Sequence, residues 1–157
     1  MSSQPEVYPG TIVLKFYSKA ELLSYIRSMV DFYQRQVQQC GDKLGELLRA
    51  GGQTGEKQNN DKQVRKGWSK IGSVSINMSS SSTAYAEIMF QMQEEMKQKL
   101  ARVSDVLKSV EGFSTAGIAE DASFLVYFRN GLPEAIIVNQ AEKKREPFVF
   151  SATFKVV

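Results

Sequence analysis

The side chains best able to do chemistry lie between Glu56 and Lys70. Lys57, Lys62, Arg65, Lys66 and Lys70 stand there against only Glu56 and Asp61, a net charge of +3 that equals the charge of the whole chain. Trp68, the one tryptophan of the sequence, sits between Lys66 and Lys70. Cations meet phosphates and an indole stacks on bases, so Lys57, Lys62, Arg65, Lys66, Trp68 and Lys70 would form a nucleic-acid contact or, with the indole at a lipid boundary, a surface contact. The plainer reading is a solvated loop whose tryptophan folds back onto the helices. Four serines, Ser79 to Ser82, would accept phosphate near a helix start, where the helix dipole favours negative charge. More often such a run is a flexible link ending in an N-cap, here Ser82. Cys40 falls on an apolar helix position and reads as a small buried hydrophobe.

Catalysis has little to build on. The chain has no histidine and one cysteine, which removes imidazole chemistry, ordinary zinc ligation and an internal disulfide. No phosphate-cradling glycine motif and no G-x-S-x-G nucleophile turn is present. Glu120 and Asp121 are adjacent carboxylates, and neighbouring side chains rarely converge on one substrate. The expectation is a protein that is not an enzyme and takes no metal and no cofactor.

The elements around these residues follow from periodicity. Thr11 to Tyr17 alternates, with Ile12, Leu14 and Phe16 on one side. Ser18 with Glu21 three residues later is a capping box, so a helix starts at Lys19. Leu23, Ile26, Val30, Tyr33, Val37, Cys40, Leu44 and Leu47 then recur in alternating steps of three and four, a heptad seam running to Gly51. Gly41 and Gly45 each cost about 1 kcal/mol in a helix interior, which marks Gly41 as a place to break. Residues 51–70 read as an exposed basic loop, and residues 71–78 as a strand. A second helix spans about Thr83 to Val110 with a seam of Tyr85, Met89, Met92, Met96, Leu100, Val103, Leu107 and Val110, and with Phe90 off it. Ser123 to Arg129, the hairpin signal Asn130-Gly131, a return strand from Glu134 to Asn139 and a last strand from Phe148 complete the chain.

The fold expected is therefore α+β in the order β-α-β-α-β-β-β, two long helices packed on a mainly antiparallel sheet of about five strands. A single domain over residues 1–157 is expected, with residues 1–10 a flexible N-terminal tail. A first helix of 32 residues would be about 48 Å long, at roughly 1.5 Å per residue. Seams of that length need covering, by the chain's own sheet, by each other or by another copy. The function expected is a protein-interaction or assembly module that self-associates or binds a partner through Val30, Tyr33, Val37, Leu44, Met89, Phe90, Met96 and Leu100. The alternative is a nucleic-acid-binding module working through residues 56–70. A homodimer or a protein partner is expected, and no integral membrane segment, since no apolar run reaches the roughly 18–20 residues a spanning helix needs. The polar start of the chain and the lone cysteine suggest a cytoplasmic protein.

Overall fold

Ser18 does what its spacing to Glu21 requires. The Glu21 amide donates to Ser18 Oγ at 3.1 Å, and the Glu21 carboxylate reaches back to accept from the Tyr17 amide at 2.8 Å. Helix α1 starts there and runs as Lys19–Gly51. In the computed structural model, residues 6–51, 67–78, 82–114, 117–118, 122–140 and 149–151 are described. The order of elements is β1 (Ile12–Phe16), α1, β2 (Trp68–Ile71), β3 (Val74–Asn77), α2 (Ser82–Glu111), β4 (Ser123–Arg129), β5 (Leu132–Asn139) and β6 (Val149–Ser151). The α+β class holds, with one strand more than expected.

By its internal packing the chain divides into two compact units. The first comprises residues up to Gln34 together with those from Gln98 onward, and the second is Arg35–Lys97. The first unit holds a four-stranded antiparallel sheet in the order β5-β4-β1-β6. Strand β1 lies between β4 and β6, so the C-terminal strands do not form an uninterrupted meander. Ile12, Leu14 and Phe16 pair in register with Phe128, Val126 and Phe124, and all six side chains are buried. One apolar face of two neighbouring strands is thus continuous, and helices cover it. From α1 come Leu22, Tyr25, Ile26, Met29 and Tyr33, and from α2 come Val103 and Val110. Tyr25 stands between the strands' aromatic rings, 5.3 Å from Phe16 and 5.3 Å from Phe128.

The Asn130-Gly131 turn forms as its residue types demand, with φ of 52° and 75°. Both central residues in the left-handed region define the turn that matches the twist of a hairpin. The return strand begins at Leu132, two residues before the expected start. Pro133 is accommodated because β5 is an edge strand, where a missing amide donor costs least. Tyr8 and Gly10 are hydrogen-bonded to α1 and to the β4-β5 turn. The Tyr8 amide donates to Tyr25 Oη at 3.2 Å, and the Gly131 amide donates to the Gly10 carbonyl at 3.0 Å. Residues 1–5 lie outside the described residues.

The second unit holds the later turns of α1, the β2-β3 hairpin and the earlier turns of α2. Residues 71–78 are not one strand. Ile71 pairs with Val74 across Gly72-Ser73, and Gly72 has φ of 61°, so the alternating run folds back on itself. A glycine at the first turn position is the signature of that two-residue loop. The basic loop accordingly ends before Trp68, because residues 68–70 are needed as the hairpin's first strand.

Helix α1 does not break at Gly41. A Cβ there would lie 2.8 Å from Gln93 Nε2, so the glycine gives a side chain of α2 room against the α1 backbone. Gly45 has no such reason, since the nearest atom to a Cβ would be an arginine tip 3.9 Å away. Gly45→Ala is expected to stabilise the helix by about 1 kcal/mol and raise the melting temperature by a few degrees. Thermal unfolding followed by circular dichroism checks this, and an unchanged or lower melting temperature contradicts it.

Candidate interaction surface

The two sets of seam residues have different fates in the two units. In the first unit the seam is a covered core. Tyr33 is 1% exposed and its hydroxyl donates to the Gly131 carbonyl at 2.6 Å, so it serves the chain's own packing and offers nothing to a partner. Val30 and Leu100 are half-buried there. The buried residues Leu22, Tyr25 and Met29 fall outside the heptad set, because a helix lying on a sheet buries a band wider than a coiled-coil seam.

In the second unit the apolar residues of the helices are only partly covered. Val37, Leu44, Met89 and Met96 are half-buried, and Cys40 is buried as expected of a small hydrophobe. Tyr85 is 59% exposed and Phe90 53%. Ile88 and Met92, on the same side of α2 as Tyr85, are exposed as well, as are Leu48, Ile71, Val74 and Met78. Ile88 is a surface residue that heptad reading passes over. The step from Tyr85 to Ile88 to Met92 is three then four, the same spacing as the seam itself, and this was the signal for it.

The basic, tryptophan-containing set is only partly described. Lys57, Lys62, Arg65 and Lys66 lie outside the described residues, as do Ser79 to Ser81 and the Glu120-Asp121 pair. Lys70 is exposed on β2. Trp68 is half-buried, and its indole N–H donates to a Glu87 carboxylate oxygen of α2 at 2.5 Å. A hydrogen bond to a charged acceptor is among the stronger kinds, so the hairpin is tied to the helix through the tryptophan's polar end.

A cavity of about 260 Å³ opens in the first unit between Leu22, Val110, Phe113, Phe124 and Val138, with Lys19 among its lining residues. The Lys19 ammonium donates to the Glu111 carbonyl at 3.1 Å and the Phe113 carbonyl at 2.7 Å. A cation at the last carbonyls of α2 complements the negative end of that helix. Among the described residues no cluster of three or more carboxylate or thiol side chains is placed to hold a metal, and no helix is long and apolar enough to cross a membrane. Comparison with protein-family models, with curated proteins and with solved structures finds no match for the chain.

Proposed function

We propose that this protein is a non-enzymatic interaction module whose working surface is the helical face of its second unit, residues 35–97. The reading rests on where exposed apolar side chains gather. Of thirteen large hydrophobic residues exposed among the described ones, eight belong to the second unit: Leu48, Ile71, Val74, Met78, Tyr85, Ile88, Phe90 and Met92. Scattered exposed hydrophobics are normal on any protein, whereas a concentration of aromatic, aliphatic and thioether side chains on one small unit marks a surface that associates. Methionines suit that role because their unbranched chains repack against a partner.

The heptad spacing supplies the mode. Met89 and Met96 on α2, with Val37 and Leu44 on α1, keep heptad spacing and are only half-buried, which suits the docking of another helix rather than of a small molecule. A cytoplasmic, reducing setting suits the lone thiol of Cys40 and is the compartment this reading assigns.

Absolute mass by light scattering after size exclusion, over a range of concentrations, tests the reading. Self-association is expected to raise the mass above 17.6 kDa, toward twice that value, as concentration increases. A mass fixed at 17.6 kDa up to the solubility limit would rule out self-association as the protein's mode of action.

A further inference from the structure

The cavity of the first unit forms where the helices stop short of the sheet's edge. Val126 and Ile136 are paired neighbours on β4 and β5 and share a face. Val126 is fully buried and Ile136 is exposed, so cover is lost between one strand and the next. Two residues along, the pair Phe124 and Val138 faces the same way and lines the cavity. Leu22 of α1 and Val110 of α2, both buried, line it from the helices, and the exposed Phe113 stands at its mouth. The lining is hydrocarbon and aromatic almost throughout, around a volume of about 260 Å³.

Of the described lining residues only Lys19 is charged. Its ammonium has three N–H donors. Two of them engage the neutral Glu111 and Phe113 carbonyls, at 3.1 and 2.7 Å. The Glu111 carboxylate is held by Arg27 at 3.2 Å, and no carboxylate among the described residues lies within ion-pair distance of Lys19. A positive charge with one donor left thus stands beside an apolar hollow.

The hollow sets the body of an occupant and the ammonium sets its end. An apolar cavity of about 150 Å³ stays dry and takes up benzene, with its six carbons, so about 260 Å³ takes roughly ten. One N–H on a single charge suits a singly charged carboxylate, whereas a phosphate calls for several donors at once. We propose that this cavity binds a monocarboxylate with an apolar tail of about ten carbons, its carboxylate on Lys19 and its tail against Leu22, Val110, Phe124 and Val138. The site lies wholly in the first unit, so it holds whether or not the second unit associates.

Isothermal titration calorimetry of the full chain with decanoate, and with 1-decanol as the uncharged counterpart, tests this. Decanoate is expected to bind about tenfold more tightly than decanol, the gain typical of a hydrogen bond to a charged group. Hexanoate should bind at least about tenfold more weakly than decanoate, because it leaves part of the hollow unfilled. Lys19→Gln keeps a donor for the α2 carbonyls and removes the charge, so it should weaken decanoate about tenfold and leave decanol unchanged. Val138→Trp, at a half-buried strand position, fills the cavity and should abolish binding of both, with circular dichroism confirming the fold. If that variant loses structure, Ile136→Trp places the same bulk at an exposed position of the same lining. No decanoate binding at millimolar concentration overturns the proposal. Binding that survives the tryptophan variants overturns the site. Equal affinity for decanoate and decanol, or indifference of decanoate to Lys19→Gln, overturns the assignment of a carboxylate to Lys19.

Discussion

Phe128→Ala is expected to cost about 3–5 kcal/mol, the range for deleting a buried aromatic ring. Phe128 is fully buried, pairs with Ile12 of the neighbouring strand and meets Tyr25 edge-on, at 5.3 Å and 64°. Its ring joins the sheet to α1, so its loss leaves a void bordered by both, and neither regular element can collapse into it. For a chain of this length that loss corresponds to a fall in melting temperature of about 10 °C. Urea unfolding followed by circular dichroism measures it. A loss below about 1 kcal/mol would mean that Phe128 is not central to the core of the first unit.

The parts of the fold that were legible in the sequence are those fixed by neighbours along the chain. The box formed by Ser18 and Glu21, the turn at Asn130-Gly131 and the alternation of Ile12, Leu14 and Phe16 depend on residues at most three or four positions apart. What the sequence hid depends on contacts between distant segments. That β1 lies between β4 and β6 is set by pairing over more than a hundred residues, and no local pattern encodes it. Gly41 looked like a break because its propensity is poor, yet close approach by Gln93 makes the small residue useful. The hairpin of β2 and β3 was readable and was missed. Ile71 to Met78 alternates through Gly72-Ser73 as if nothing intervened, and a strand period carries on unchanged through a two-residue turn.

The candidate surface was half legible for a related reason. Steps of three and four identify residues that share a helix face but not what lies over that face. Tyr33 and Tyr85 occupy equivalent seam positions, and one is 1% exposed while the other is 59% exposed. The difference lies in what surrounds each residue. Tyr33 packs in the covered core of the first unit, and Tyr85 stands exposed on the part of α2 that belongs to the second unit. Trp68 shows the converse: its place among lysines leaves open a stacking ring, yet the plainer reading, a tryptophan folded back onto the helices, is the one its indole bond to Glu87 of α2 matches.

Gly131→Ala is expected to destabilise the protein by about 2–5 kcal/mol, from strain and from crowding together. The residue holds φ of 75°, which costs an alanine about 1–2 kcal/mol. A Cβ would also press on the Tyr33 hydroxyl and lie 3.0 Å from the Pro9 carbonyl oxygen, which is backbone and cannot swing aside. Tyr33→Phe separates the two effects. By itself it leaves the buried Gly131 carbonyl without its phenol donor, at a cost of about 1–3 kcal/mol. Combined with Gly131→Ala it removes one of the two clashes, so the double variant should lose less than the sum of the single ones. Strict additivity would show that crowding at Tyr33 plays no part. Alkaline titration gives an independent reading of the same contact. Burial, and after it the neighbouring Tyr25, pushes the Tyr33 pKa from 10.0 up to about 12. The folded state therefore holds the phenolic proton more tightly than the unfolded chain. Its contribution is complete below pH 10 and is lost as pH rises toward 12, about 2–3 kcal/mol over that interval. The Tyr33→Phe variant, less stable at neutral pH, should show a shallower fall between pH 10 and 12 than the unsubstituted protein. Tyr25, whose pKa burial also raises, supplies the part of the decline that remains. Parallel curves for the two proteins would mean that Tyr33 gains no protection from the fold.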